Sequence, residues 1–535
     1  MFYGIRKKII LILLCAAAAA GCVKETQSTA DRLKSKNVNT VKKAFADAWR
    51  LGDAANAAGA AAFLENAEFK ETAAFALAFM NSESVDKIVL SLMKNARNKE
   101  AHLLYFYLIS KKRRPAGSVF ETLKKISEQG SGAEKISAYM TLAAAENNDM
   151  YAEKMYLLLE KNHRELMPAV KKEILIFTGK SGSAEGLKAA EKIGNITEMK
   201  PFYNYAKNRV APREKPESVR SERVILRNPY WKKSEKNPVF PVKGGTYKSM
   251  HTANPDIVMG EHMIYFYYRC GDGTDRICMA VSPDFLFDFS SFADYAGNPI
   301  IDTGEKGCFD DGAVLDPAAV RFKEQTFLYY SGLGAGNDSI GAAVSAGYYE
   351  FEKIKNNPVL TGRAPEAVLK DGIIYLYFVR PNNRNGYSVF LATSDNGSDF
   401  AVYSDKPVLD YSEDRGEWDG MSVTTPRIYE KGGVYYMMYA GDNKYRDYPP
   451  YFGLAFSYDM VNWYKSSLNP LFSRSEKGLW DDGGIWYGEI MEYEGKTYMW
   501  YEGWGGGPES HEKEYGPGRS QIGLAVSEYA LEEML

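Results

Sequence analysis

The chain has no basic excess: 66 Lys and Arg stand against 69 Asp and Glu, a formal net charge of −3 over 535 residues. Without surplus cations to displace counterions from a phosphate backbone, a nucleic-acid partner is not indicated. Histidine is scarce, with five residues at 102, 163, 251, 262 and 511. Their spacing matches no metal-ligand pattern, so zinc is not indicated either. The apolar run near the start, Ile9 to Ala20, is too short to span a bilayer. What is abundant is aromatic and small: 13% Phe, Trp and Tyr, with 38 Tyr, and 47 Gly. Tyr and Gly in excess favour short strands, tight turns and β-structure that handles polar ligands. The length exceeds one ordinary core, so two or three domains are expected.

Arg6, Lys7 and Lys8 precede the apolar run, and small residues follow it, the three parts of a secretory signal over residues 1–21. Ala19-Ala20-Gly21-Cys22 resembles the bacterial lipobox, with Ala19 where Leu is usual. The resemblance implies that Cys22 is lipidated and anchors the mature chain to a membrane, each buried CH₂ contributing about 0.8 kcal/mol. Residues 22–40 then form a tether, and the location is the bacterial cell envelope, at the outer membrane or cell surface. The plainer alternative is a secreted protein cleaved near Ala20. Cys270, Cys278 and Cys308 remain downstream. Cys270 and Cys278 flank Gly271-Asp272-Gly273 and can face each other across a hairpin, but three thiols cannot all pair, so a bridge is left open.

Residues 41–209 are rich in Ala, Leu, Lys and Glu, with apolar residues at helical spacing, as in Tyr151, Met155, Tyr156 and Leu159. Breaks near Asn81-Ser82, Pro115, Gly130-Ser131-Gly132 and Gly179-Lys180-Ser181-Gly182 mark units long enough for helix pairs, an all-α, solenoid-like domain. It is a spacer or a docking module for a protein partner. Tyr105, Phe106 and Tyr107 read as core. A segment rich in Pro and charge, within 210–232, reads as a linker.

From 233 to 535 three elements recur five times. Asn237-Pro238-Val239-Phe240 is echoed at Asn298, Asn357, Lys406 and Asn469. Strands of Ala-x-Ser type end at Ser282, Ser345, Ser394, Ser457 and Ser527. Aromatic runs begin at Tyr265, Phe327, Tyr375, Tyr436 and Tyr498, each ten residues after Pro255, Pro317, Pro365, Pro426 or Gly488. Units of about 50 to 70 residues suit four-stranded blades, so the pattern predicts an all-β five-bladed propeller. The first Asn-Pro strand lies upstream of the first unit and the last unit lacks one. The N-terminal segment is therefore expected to complete the last blade and close the ring. Blade-leading strands line the central channel, which brings Asn254, Asp256, Asp316, Arg363, Glu366, Thr425, Arg427, Tyr487 and Glu489 into one funnel. Converging carboxylates point to use, or to a structural charge network with Arg363 and Arg427.

Ser457-Tyr-Asp459-Met-Val-Asn-Trp463 resembles the Ser-x-Asp-Leu-x-x-Trp turn of the five-bladed propeller glycosidases, among them glycoside hydrolase families 32, 43, 68, 117 and 130. Asp316-Pro317 is similar to the second-blade Asp-Pro of family 43, and Pro365-Glu366 through Arg380-Pro381 resembles a stretch of family 130. The resemblance implies glycoside cleavage by two carboxylates, by a hydrolase or a related phosphorylase, on a carbohydrate substrate. The chain diverges at the catalytic positions: Asn254 stands where family 43 has its base, and Arg363 where it has its acid. Asp256, two steps along the same strand face, is the candidate base, Glu366 the candidate acid and Asp316 the residue that tunes it. Glu489 is a substitute for either. Asn254, Arg363, Arg427 and Glu489 are candidate substrate contacts, and Trp504 a candidate stacking platform. No cofactor is indicated, and a structural calcium near Asp310 and Asp311 has no support in the pattern. The alternative function is a non-catalytic glycan-binding or scaffold lipoprotein.

Overall fold

The computed structural model describes the chain from Ala54 to Leu535 except residues 81, 211–224, 227–229, 261–262, 283–291, 509 and 511–517; before Ala54 it describes Arg32, Leu33, Val41 and Ala44. The expected signal segment, Cys22 and most of the tether and linker lie outside the described residues. Contacts divide the chain into two compact units, Met1–Val119 and Phe120–Leu535.

In the first unit, helices Ala54–Ala61, Lys70–Met80, Glu83–Met93 and Glu100–Ser110 follow in order. The last reads EAHLLYFYLIS, and every residue from Glu100 to Ile109 is buried, as a helix without a polar face requires. Tyr105, Phe106 and Tyr107 are core. Buried Asp86 is compensated by the Tyr105 hydroxyl at 2.6 Å and the Arg113 guanidinium at 2.7 Å.

The second unit begins with more helices, among them Gly132–Glu146, Asp149–Asn162, Pro168–Ser181, Ala184–Gly194 and Lys200–Val210. Their ends follow local chemistry. Ser131 and Glu134 form a capping box, Pro168 sits at a helix start, and Gly182 stops its helix at φ 67°. The sequence reading places all helices to residue 209 in one domain, whereas those after Phe120 share a compact unit with the β-rich part. The reason is an aromatic face. Phe202 and Tyr205 pack on Phe456 at 5.6 and 5.1 Å, and buried Glu173 accepts the Tyr458 hydroxyl at 2.6 Å. Lys172 lies over the Tyr458 ring at 4.9 Å.

The β-rich part is propeller-like, built from successive antiparallel meanders. The first has strands His251–Met259, Ile264–Gly271, Asp275–Ser282 and Ala293–Asp294; the second Ala313–Phe322, Gln325–Leu333, Ser339–Ser345, Glu352–Lys353 and Leu360–Thr361. The third has Arg363–Lys370, Ile373–Pro381, Tyr387–Ser394 and Ala401–Val402; the fourth Ser422–Lys431, Val434–Asp442, Tyr451–Ser457, Tyr464–Lys465 and Phe472–Ser473. The fifth has Gly484–Tyr493, Lys496–Gly505 and Arg519–Ser527. Its outer position is filled from far upstream: Lys232 and Lys233 pair with Val526 and Ala525, and Phe240 bridges Ile522. The leading strands of the five meanders neighbour one another in cyclic order, the fifth touching the first.

The recurring residues have recurring jobs. The Asn of each Asn-Pro segment extends the sheet with its side chain, its amide accepting and donating as a peptide group would. Asn298 does this to Met279 (2.7 and 2.8 Å), Asn357 to Ala342, Asn469 to Leu454, and Asn237 to Leu524 in the fifth meander. Lys406 cannot, and the third meander keeps only the backbone pairing of Val389 with Val408 and Leu409, which the first meander also has between Ile277 and Ile300–Ile301. Ser345, Ser394, Ser457 and Ser527 each accept from the amide of the turn that follows, which is why Ser ends the third strand. The aromatic runs alternate faces. Tyr267, Tyr329 and Tyr377 donate to carbonyls of the next meander, at Tyr348, Gly397 and Met460. Tyr330, Tyr439 and Tyr501 instead donate to Asp310, Asp419 and Asp481, which Lys353, Lys465 and Lys233 neutralise at 2.5–2.7 Å. Asp310 thus serves an ion pair, and Asp311 accepts the Gly307 amide at 2.6 Å. Cys270 and Cys278 form a disulfide across the second and third strands, and Cys308 is free and exposed.

Replacing Asn298 or Asn357 by Ala leaves a strand amide and carbonyl unpaired. Each change should lower unfolding stability by about 1–3 kcal/mol, read by denaturant titration; unchanged stability in both would refute the sheet-extending role.

Candidate functional site

Every leading strand carries the same irregularity. Register shifts at the proline, or at Gly488, and the residue before it takes a left-handed backbone: Asn254 (φ 49°), Asp316 (57°), Ala364 (51°), Thr425 (48°) and Tyr487 (49°). Such a bulge breaks the two-residue alternation and re-aims side chains. Residues on both sides of the proline therefore reach the channel, in two tiers.

The lower tier is made by the residues that follow: Asp256, Glu366, Arg427 and Glu489. Arg427 is fully buried and touches every meander. It donates to the carbonyls of Pro255 (3.3 Å), Pro317 (2.9 Å), Pro365 (3.0 Å) and Pro426 (3.3 Å), and pairs with Glu366 at 3.1 Å and Glu489 at 3.3 Å. The other Glu366 oxygen accepts the Ile428 amide at 2.9 Å, and Asp256 accepts from Ala319 at 3.0 Å. Three carboxylates share one guanidinium. Burial pushes Asp256 up to about 6 and Glu366 up to about 8, with Arg427 opposing in both; Glu489 is also raised, by burial and its two acidic neighbours.

The upper tier contains Asn254, Asp316, Arg363 and Tyr487, whose ring lies 4.6 Å from the Arg427 guanidinium and roofs the lower tier. A residue missed in the sequence completes it. Glu502, buried on strand Lys496–Gly505, accepts from Asn254 through the side-chain amide at 2.7 Å and the backbone at 3.2 Å. The Asn254 carbonyl oxygen faces the Asp316 amide at 3.4 Å, so one asparagine links two carboxylate residues. Asp316 is 1% exposed, and its Oδ2 has no hydrogen-bond partner. Arg363 is the charge that faces it. Burial pushes Glu502 up to about 7, against the pull of Arg269. A signal for Glu502 existed: the position just after each aromatic run reads Arg269, Ser331, Val379, Ala440 and Glu502, and each pairs beside a bulge.

Two walls rise from this floor. On one, Trp504 stacks on His251 at 5.7 Å and meets Trp486 edge-on at 6.4 Å, and Tyr448 meets Trp486 at 6.1 Å. Gly506 and Gly518 lie so close to the Trp504 indole that a Cβ on either would collide with it, which accounts for the glycines beside this tryptophan. Burial and Arg269 lower His251 to about 4, keeping it neutral. The other wall holds Arg363, Tyr387 and Arg446.

The lower tier gathers Asp256, Glu366, Arg427 and Glu489; the upper gathers Asn254, Asp316 and Arg363, and Trp504 stands on the wall. The described residues contain no cluster of three or more His, Cys, Asp or Glu able to hold a metal ion.

No known family model matches the chain. It is 26% identical over 294 residues to "Uncharacterized protein Rv1502" of Mycobacterium tuberculosis H37Rv, covering 51% of this chain and 91% of the relative. Solved structures that it is similar to include several described as glycoside hydrolases. One described as a glycoside hydrolase has TM-score 0.42 and 18% identity, over 54% of this chain and 90% of its own. A thermostable family-43 glycoside hydrolase gives 0.41 and 20%, over 53% and 90%, and a family-130 protein 0.42 and 16%, over 58% and 95%.

Arg427→Met removes the only guanidinium among these three acids and should cost about 3–5 kcal/mol of stability. A carboxyl raised on folding stabilises fully below its unfolded value, near 4.5 for Glu366, and that stability is lost as pH rises through about 8. Thermal unfolding should therefore fall between about pH 5 and pH 8, and Glu366→Gln should flatten the fall. Identical pH profiles for the two proteins would contradict the charge network.

Proposed function

We propose that the β-rich part is a five-bladed propeller, closed by the segment ending at Phe240, and that its upper tier is a carbohydrate site of glycoside hydrolase type. The observation that carries the reading is the pair Asp316 and Glu502, held apart by Asn254 beneath a half-exposed aromatic wall. Glycoside cleavage needs an acid to protonate the leaving oxygen and a carboxylate on the other side of the bond. Glu502, raised to about 7 by burial, is about half protonated at neutral pH and is assigned as the acid. Asp316, with a free oxygen beside a guanidinium, is assigned as the base or nucleophile: it takes the proton of an attacking water or bonds to the anomeric carbon. Asp256 and Glu366, first candidates from sequence, are assigned instead to the lower network, because Arg427 and the Ile428 amide occupy both Glu366 oxygens and the Ala319 amide occupies one oxygen of Asp256. Trp504, Trp486 and Tyr448 offer faces on which sugar rings stack.

The same reading makes the chain an exported lipoprotein anchored through Cys22. The basic, apolar and small segments at its start support this, and so does the Cys270–Cys278 bridge, which suits an oxidising compartment. A second reading, a glycan-binding platform without turnover, is favoured by Asn254, an amide where the related enzymes place a base.

Asp316→Asn and Glu502→Gln should each lower turnover at least a hundredfold on any aryl glycoside or polysaccharide that the wild type cleaves, with folding intact. Full activity in both rejects the pair, and wild-type binding without cleavage selects the platform. In a bacterial host, Cys22→Ala should abolish palmitate labelling and move the protein from the membrane to the soluble fraction; unchanged fractionation would reject the anchor.

A further inference from the structure

The wall opposite the tryptophans is built from cations around one phenol. Arg363 Nη1 donates to the Tyr387 hydroxyl at 3.3 Å and Arg446 Nη2 donates to the same oxygen at 2.6 Å. Both guanidinia also lie against the Tyr387 ring, at 5.6 and 4.5 Å from its centroid. With its oxygen accepting from both arginines, Tyr387 keeps its own O–H to donate. Three donor groups thus converge at one spot.

Neither cation is spent on an ion pair of ordinary strength. Arg363 reaches exposed Asp338 at 4.0 Å, the limit of an ion pair. Arg446 is exposed and has no carboxylate within ion-pair distance among the described residues. Arg384, in the turn three residues before Tyr387, shows the contrast: its guanidinium donates to the carbonyls of Ser412, Gly420 and Glu413 and holds a loop.

Arg363 stands two residues before Pro365 and also faces Asp316, so an anion here would belong to the sugar bound beside the reacting pair. Two guanidinia and a phenol suit a planar carboxylate, which accepts bidentate bonds from arginine. We infer that the site takes acidic glycans: Arg363, Arg446 and Tyr387 bind the carboxylate of a uronic acid residue, on the premise that the upper tier is the carbohydrate site.

The test presents the full chain with oligosaccharides of glucuronate, galacturonate and mannuronate, each beside its methyl ester, a neutral isostere. Wild type should bind or turn over at least one acid form roughly tenfold or more better than its ester. Arg446→Ala, at an exposed position that leaves folding intact, should shrink that ratio about tenfold, and Arg446→Lys should restore part of it. Equal preference for acid and ester, with neutral glycans still bound, overturns the acidic-glycan inference and leaves the carbohydrate site standing. Absence of binding to any glycan defeats the carbohydrate site itself. Saturable binding of inorganic phosphate that Arg446→Ala removes, without preference for the acid sugars, identifies a free anion as the ligand and also overturns the inference.

Discussion

The β-rich part turns on one guanidinium. Arg427 presents five N–H donors in a rigid fork, and they are spent on the proline carbonyls of four leading strands and on carboxylates from the third and fifth. Those carbonyls point inward because the bulge at each proline interrupts the ladder and leaves them without strand partners. A lysine could not replace this arginine, since one ammonium cannot reach partners arranged around a plane. Around that hub the acids outnumber the base three to one; burial raises all three, and neighbouring carboxylates add to the rise at Glu366 and Glu489. The arrangement binds the five strands together while keeping part of its charge protonated.

Because the lower tier is closed on itself, the proposed reading assigns chemistry to the tier above. There the same bulges set Asn254 and Asp316 side by side, and the neighbouring second strand adds Glu502. Left-handed backbone at non-glycine residues is costly, of order 1–3 kcal/mol each. The cost is carried by a frame that repeats its fastenings: asparagine side chains extending the sheets, tyrosine hydroxyls tying one meander to the next, and Lys–Asp pairs that accept from Tyr330, Tyr439 and Tyr501. The groups to which the proposed reading assigns chemistry therefore rest on strands rather than loops, while the walls above them come from the strand ends and loops around Tyr448, Arg446 and Trp504.

Much of the frame was legible before any coordinates. The spacing of Pro255 to Tyr265 and its four repeats located the leading and second strands, and the upstream Asn237-Pro238 indicated how the last meander is completed. Glu502 was not singled out because it lies on a second strand, one step past an aromatic run that reads as packing. Asp256 was drawn to the active role by two-step alternation along its strand and Glu366 by the resemblance of its stretch to family 130; the bulge at the adjacent proline interrupts that alternation, and the proposed reading assigns both to the lower network. The helices after Phe120 were separated from the β-rich part because composition changes near residue 210, yet Phe202 and Tyr205 find their apolar partners on Phe456.

What the sequence alone determined is local and periodic: which segments are strands and which residues flank the prolines. Periodicity reports the face of an element, so it recovers repeats well. Tertiary structure decided which carboxylates share a buried arginine, because Arg427 reaches partners as far away in sequence as Pro255, 172 residues upstream, and no spacing along a strand encodes such a convergence.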